Sequence, residues 1–333
     1  MPTVTFHTLG CRLNQADTAL LADDLSRHGF TLETWGKPSD LLVINSCSVT
    51  GVAAQKTRQL VRATRRRCPQ GFLVLLGCEA TAEAATWQNS PDIDMLVTNP
   101  KPPSLAALLP PGLVRPPAGQ PIFHQTQPQP DDFCLQGTGL FWERTRANLK
   151  IQEGCDFHCT YCIVPSTRGH ARSRRLSDVL SEAERLVKQG FKEIVLTGVN
   201  ISTYSSDGCD LPGLLRRLLE LGDGFRLRLG STEPGENLLP SIVELMAVQP
   251  RLCRFLHLPL QYGDDDILRR MGRRHYDCQS YAAQVQDACR KIPGLCLGTD
   301  IIVGFPGETE QNFRRCQEYL ESLPFGLMHV FPF

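Results

Sequence analysis

Two runs of almost uninterrupted apolar residues, Asp40–Asn45 (DLLVIN) and Phe72–Leu76 (FLVLL), constrain this chain most. A strand that is apolar at nearly every residue must be covered on both faces, and such strands belong to parallel sheets flanked by helices. The neighbouring sequence agrees. Thr3–Thr8 reads as a strand, Asn14–His28 as an amphipathic helix, Thr31–Trp35 as a short strand and Val52–Arg67 as a helix. This alternation predicts an α/β domain with an open parallel sheet.

Residues 100–130 are dense in proline and read as an extended linker with a short helix near its centre. Alternation resumes near Asn148. Candidate strands are Leu149–Gln152, Glu193–Thr197, Arg226–Gly230, Arg254–Pro259, Leu297–Val303 and Leu327–Phe331. Candidate helices between them are Ser177–Gln189, Leu211–Leu221, Leu239–Val248, Asp277–Lys291 and Thr309–Ser322. Six strands with intervening helices predict an incomplete (β/α)6 barrel, since eight would close it. The expected domains are 1–118, a proline-rich linker at 119–142, and a barrel at 143–333.

The 333 residues carry 35 Lys+Arg against 35 Asp+Glu, so a nucleic-acid partner must be held by local basic patches. No apolar run reaches the roughly 20 residues that span a bilayer, and MPTVTFHTLGC lacks the features of a signal peptide. The expected location is the cytoplasm, with no membrane partner. A reducing compartment disfavours disulfides, so the 14 cysteines read as ligands, nucleophiles or core thiols.

Cys155, Cys159 and Cys162 form C-x₃-C-x₂-C directly after a candidate strand. Three thiolates from one loop can hold a four-iron cluster and leave one iron without a protein ligand. A structural zinc would need a fourth ligand; His158 is the candidate, but it sits between two ligands in a tight loop, and three unliganded thiols are the plain alternative. Cys11, Cys47 and Cys78 lie far apart, yet each follows a candidate strand: HTLGC, VINSC and LLGC. Ligands of open parallel sheets gather at such carboxyl ends. A metal site and three buried small hydrophobes are both open readings here.

Other candidate strand ends in the barrel are polar: Asn200 in GVN, Ser231 and Glu233 in STEP, His257 and Gln261 in HLPLQ, Asp300 in TDIIVGFPGE. A cofactor in a barrel mouth requires groups of this kind. Taken singly, His257 reads as a hydrogen-bonded core residue and Asp300 as a turn cap. Tyr161 reads as an adenine-packing ring or as core.

The CDFHCTYC loop resembles the signature of the radical SAM enzymes. HLPLQ, TDIIVGFPGET, TLGCRLNQ, NSCSVT and LLGC together resemble the radical SAM methylthiotransferases, over nearly the whole chain. RGHARSR (168–174), Thr232-Glu233-Pro234 and TLGCRLNQ are similar to the threonylcarbamoyladenosine (MtaB-type) branch. The resemblance implies two 4Fe-4S clusters, one on Cys155, Cys159 and Cys162 and one on Cys11, Cys47 and Cys78. It implies S-adenosyl-L-methionine near Tyr161, Asn200, Ser231, Glu233, His257, Gln261 and Asp300. It also implies a tRNA anticodon loop as substrate, a flavodoxin or ferredoxin as electron donor, and a sulfur donor. One S-adenosylmethionine would methylate a sulfur on the first-domain cluster. A second would yield the radical that abstracts hydrogen from C2 of adenine, a position beyond acid–base chemistry at neutral pH.

Tyr262 stands where the family usually has serine. The sequence ends at Phe333 inside the sixth candidate strand, and the family's C-terminal TRAM domain is not in it. Basic runs at Arg62/Arg65/Arg66/Arg67 and Arg269/Arg270/Arg273/Arg274 read as solvated helix faces. Arg168, Arg172 and Arg174, close to the cysteine loop, are the expected contacts to RNA phosphates. Rival readings are the isopentenyladenosine or ribosomal-protein branch, and a truncated iron–sulfur protein without catalytic activity.

Overall fold

The computed structural model describes residues 1–48, 50–99, 101–125, 139, 145–235 and 239–333. By its contacts the chain divides into two compact units. One is Met1–Asp156 with Ile163–Arg172, and the other is Phe157–Cys162 with Ser173–Phe333. Most of the expected linker (126–138 and 140–142) and the expected barrel start at 143 lie outside the described residues.

In the first unit, β1 (Thr3–Thr8), β2 (Thr31–Leu32), β3 (Leu41–Ser46), β4 (Phe72–Gly77), β5 (Met95–Val97) and β6 (Ile122–His124) form one parallel sheet. Their order is β2-β1-β3-β4-β5-β6. β3 and β4 are buried at every residue, and strand alternation splits their side chains between two cores. Leu41, Val43, Phe72, Val74 and Leu76 pack with Leu20, Leu21 and Leu25 of α1 (Arg12–Arg27). Leu42, Ile44, Leu73 and Leu75 pack with Val61 of α2 (Gly51–Arg67). Full burial of such a side chain is worth roughly 1.5–3 kcal/mol, so the two cores hold the central strands and their carboxyl ends rigidly.

α2 begins where the Thr50 hydroxyl accepts from the Ala53 amide at 3.1 Å. α3 (Cys78–Ala82) follows β4 without a loop, and α4 (Ala84–Trp87) adds Trp87 to the second core. β6 lies beyond residue 118, inside the stretch expected as linker. It pairs with β5, and Ile122 packs on the first core. Three prolines just before it (Pro116, Pro117, Pro121) mask the strand in the sequence. β7 (Arg146–Lys150) packs on α1, and β8 (Gln152–Glu153) and α5 (Val164–Arg168) also belong to this unit.

β9 (Arg172–Ser173) marks the passage to the second unit, which opens with α6 (Leu176–Lys188) and β10 (Glu193–Thr197). A hairpin of β11 (Ser205–Ser206) and β12 (Cys209–Asp210) turns through Asp207 and Gly208, both at positive φ, as a two-residue turn of this type requires. Then come α7 (Leu211–Leu219), β13 (Arg226–Leu229), α8 (Leu239–Val248), β14 (Phe255–His257), α9 (Asp265–Arg270), α10 (Cys278–Lys291), β15 (Cys296–Val303), α11 (Glu310–Glu321) and β16 (Phe325–Pro332). Capping boxes at Asp277 and Thr309 start α10 and α11.

β10 pairs with β13, β14 with β15 and β15 with β16, all parallel. Single bridges, Leu227 to Leu252 and Ser231 to His257, continue the line between β13 and β14. Main strands successive in sequence are successive in space and joined through helices, which is the arc of an open (β/α) barrel. Of the six expected barrel strands, these five lie here. The earliest, expected at Leu149–Gln152, corresponds to β7 and β8, whose contacts assign them to the first unit.

Candidate functional site

In the first unit, β1, β3 and β4 are adjacent and parallel, and each delivers a cysteine at its carboxyl end. Cys11 is the N-cap of α1, Cys47 follows β3 directly, and Cys78 opens α3. Cys11 is exposed; Cys47 and Cys78 are buried. The described cysteines form no disulfide. Asn14 ties two of these ends together, its Nδ2 donating to Leu9 O at 2.8 Å and Ser46 O at 2.9 Å.

Glycine makes the space. Gly10 has φ +89°, and a Cβ there would lie 2.5 Å from the Cys47 sulfur. Gly77 has φ +104°, and a Cβ there would lie 2.5 Å from Ser46 O. Both positions need the left-handed region and both abut another strand end.

Beneath the thiols is a buried charge network. Arg168 Nε donates to the Cys78 sulfur at 3.3 Å, and its Nη1 donates to Glu153 Oε1 at 2.8 Å. Nη2 donates to Asn14 Oδ1 at 2.5 Å, and both Nη atoms lie 3.3 Å from Asp17 Oδ2. Lys150 Nζ bridges Asp17 Oδ1 and Glu153 Oε2 at 2.7 Å each. Lys101 Nζ donates to Asp17 Oδ2 at 2.7 Å and to Asn99 Oδ1 at 3.2 Å, while Asn99 Nδ2 lies 3.7 Å from the Cys78 sulfur. Burial alone would raise the Asp17 carboxyl, but Lys101, Lys150 and Arg168 hold it well below the usual carboxylate range. Burial likewise acts to raise Glu153, and Lys150 foremost keeps it low.

Three thiols at neighbouring strand ends, a glycine cradle and cationic or amide donors to a buried sulfur suit a metal–thiolate group. Thiolates are the ligating form, and adjacent positive charge favours them.

The second cysteine set lies in the 155–162 loop. At its start, the Cys155 amide donates to Gly169 O at 3.0 Å. Gly154 has φ +71°, and a Cβ there would overlap His170 O. At its end, in the second unit, Cys162 N donates to Cys159 O and Thr160 N to Met271 O, both at 3.0 Å. Buried Arg273 donates from Nη1 to the Cys159 sulfur at 3.4 Å, from Nε to Tyr276 OH at 3.0 Å and from Nη2 to Pro259 O at 3.3 Å. It also pairs with Glu233, whose Oε1 lies 2.8 Å from His275 Nε2. Phe157 stacks on His275 at 4.7 Å.

The polar strand ends take varied positions. Asn200 Oδ1 accepts from Ser202 N at 3.2 Å and caps a short 3₁₀ turn. Ser231 bridges to His257 through its backbone. His257 Nε2 and His329 Nδ1 each lie 3.0 Å from an Asp300 carboxylate oxygen. Burial alone would raise the Asp300 carboxyl, but these two rings keep it below its ordinary value. Gln261 has φ +72°, and its amide donates to Asp300 O at 2.8 Å, an outlying backbone conformation at the strand end. Burial pushes the Tyr161 hydroxyl far above its ordinary value.

The sequence matches the radical SAM superfamily over residues 149–320 and the uncharacterized protein family UPF0004 over residues 3–98. It is 34% identical, over 100% of its length and 74% of the relative's, to the threonylcarbamoyladenosine tRNA methylthiotransferase MtaB of Bacillus subtilis. The chain belongs to the radical SAM methylthiotransferase family. A Cereibacter sphaeroides tRNA-2-methylthio-N(6)-dimethylallyladenosine synthase is 32% identical, over 98% of this chain and 74% of its own length. In fold, the chain is similar to the radical S-adenosylmethionine methyltransferase TsrM of Kitasatospora setae. That match has a TM-score of 0.63 at 16% identity and covers 99% of this chain and 73% of that one. As a radical SAM enzyme the methylthiotransferase uses S-adenosylmethionine and a four-iron cluster.

One expectation for this methylthiotransferase is corrected by burial. Arg168, Arg172 and Arg174 are 2%, 5% and 1% exposed and do not face solvent as RNA phosphate contacts would. Arg168 is committed to carboxylates and sulfur, Arg172 donates to Arg168 O at 3.0 Å, and Arg174 pairs with Glu182. Arg273 and Arg65 also leave the expected solvated faces. Arg65 binds Asp94 at 2.5 Å, and Arg273 lines the cysteine loop. Sequence reasoning missed Asn14, Asp17, Lys101, Lys150, Glu153, Arg273 and His329. Asn14 lies in TLGCRLNQ, Lys150 and His329 lie in candidate strands, Glu153 is two residues before Cys155 and Arg273 sits in a basic run, whereas nothing local marks Asp17 or Lys101 as site residues.

Proposed function

We propose that this chain methylthiolates C2 of N6-threonylcarbamoyladenosine beside the anticodon of tRNA, acting in the cytoplasm. The observation that carries the reading is the position of Cys11, Cys47 and Cys78 at the carboxyl ends of three neighbouring strands, in a chain that also has the C-x₃-C-x₂-C loop. In this reading Cys11, Cys47 and Cys78 ligate one four-iron cluster, and Cys155, Cys159 and Cys162 ligate the other. When bound, the clusters and S-adenosylmethionine supply the radical and the sulfur–methyl chemistry. The chain's own residues ligate, orient and exclude water. Arg168 and Arg273 donate to one sulfur in each set, at 3.3 and 3.4 Å. Asn200, Ser231, Glu233, His257, Gln261 and Asp300 at the strand ends, with Tyr161 next to Cys162 in the cysteine loop, offer polar and ring contacts to the cofactor. The electron donor in this reading is a flavodoxin or ferredoxin, and a separate donor supplies the sulfur.

Support for the threonylcarbamoyl branch is the 34% identity to the Bacillus subtilis relative named for it. The relative named for the dimethylallyl branch, at 32%, keeps that branch as the second reading. Nucleoside mass spectrometry on tRNA decides between them, in a host lacking its own methylthiotransferases and expressing this chain. The expected product is 2-methylthio-threonylcarbamoyladenosine. The isopentenyl product would overturn the branch, and absence of both would overturn the tRNA reading.

A further inference from the structure

The Cys78 sulfur faces two side-chain donors, and both are anchored to the same carboxylate. Arg168 Nε is 3.3 Å from the sulfur, and its Nη atoms are 3.3 Å from Asp17. Asn99 Nδ2 is 3.7 Å from the sulfur, and Lys101 ties its Oδ1 to Asp17. Glu153, Asn14 and Asp17 fix the rest of the guanidinium, so Nε has one direction in which to point. Buried Lys101, Lys150 and Arg168 pair with two buried carboxylates, Asp17 and Glu153, and buried Arg172 lies 3.9 Å from Glu153. Buried cations outnumber these carboxylates, so the group that faces the Cys78 sulfur presents positive charge from a rigidly held position.

We propose that Arg168 is a positioning residue for the Cys11/Cys47/Cys78 site. It fixes the Cys78 sulfur and offsets its charge, which makes reduction of the bound cluster easier and keeps Cys78 ligated. The proposal rests on the reading that these cysteines hold a cluster. Its physical basis is general: hydrogen bonds and positive charge at a ligand sulfur stabilise the more negative, reduced state of an iron–sulfur centre. The opposite assignment, a salt-bridge residue that only knits the unit together, requires the carboxylates and makes no use of the Nε–sulfur contact.

The test uses the full chain carrying Cys155→Ala, Cys159→Ala and Cys162→Ala, so that one cluster remains, reconstituted without oxygen. Iron is counted, and the midpoint potential is read by electron paramagnetic resonance during a reductive titration. Arg168→Gln is expected to shift the potential negative by about tenfold in the reduction equilibrium, ~59 mV for one electron. It should also lose iron faster to a chelator. Arg168→Lys keeps the charge but not the planar fork and should fall between the two. If Arg168→Gln does not fold, Arg168→Lys carries the test with a smaller negative shift. An unchanged potential at full iron content in the Arg168 variants overturns this proposal alone. A parent chain that binds no iron overturns the cluster reading and the proposal with it.

Discussion

A Cβ at Gly10 would lie 2.5 Å from the Cys47 sulfur, on a backbone with φ +89°. Gly10→Ala meets both penalties, strain and overlap. The expected cost is roughly 1–3 kcal/mol in urea unfolding, together with loss of iron from the first-unit site. Unchanged stability and iron would contradict the cradle. Asp300 permits a pH test. Its carboxyl is held low by His257 and His329, so the pairing stabilises the fold above the unfolded carboxylate value near ~3.9 and is lost as pH falls through the lower folded value. Asp300→Asn should therefore cost stability near neutrality and progressively less below about pH 4. A gap in urea midpoints that stays constant from neutral to acid pH would contradict this. The place of Cys11, Cys47 and Cys78 after strands was legible in the sequence because apolar runs precede them. The network under Cys78 was not. Asp17 meets Lys101 and Arg168 across 84 and 151 residues, and no local pattern marks such a meeting. The same limit misplaced Arg168, Arg172 and Arg174: a run of arginines looks the same in sequence whether phosphates or buried carboxylates face it.

At the scale of elements, the central strands were plain because continuous apolar runs leave little choice. Leu75 of β4 is fully buried in the core that packs on α2. Leu75→Ala should cost roughly 2–5 kcal/mol, read as a lower urea midpoint, and should loosen the strand that delivers Cys78. A cost under about 1 kcal/mol would mean that the core there collapses around the loss. β5 and β6 are only three residues long, and α5 starts at Val164 with Pro165 just inside it. Such short elements offer too few positions for periodicity to register, and prolines before β6 read as linker. The helices with capping boxes, α10 and α11, fell within a residue or so of expectation because their end signals are local.

At the scale of the molecule, the chain divides into two compact units, and the proposed function gives the two cysteine sets different work. Cys11→Ala/Cys47→Ala/Cys78→Ala should keep reductive cleavage of S-adenosylmethionine to 5′-deoxyadenosine while abolishing methylthio transfer to tRNA. Cys155→Ala/Cys159→Ala/Cys162→Ala should abolish both. Chromatography of the nucleosides reads each outcome, and cleavage that survives loss of the second set would contradict the division. The most direct test of two cluster sites is iron and acid-labile sulfide on the chain reconstituted without oxygen, beside these two triple variants. The account predicts about eight irons per chain and about four in either variant. The same iron content with and without Cys11, Cys47 and Cys78 would contradict it.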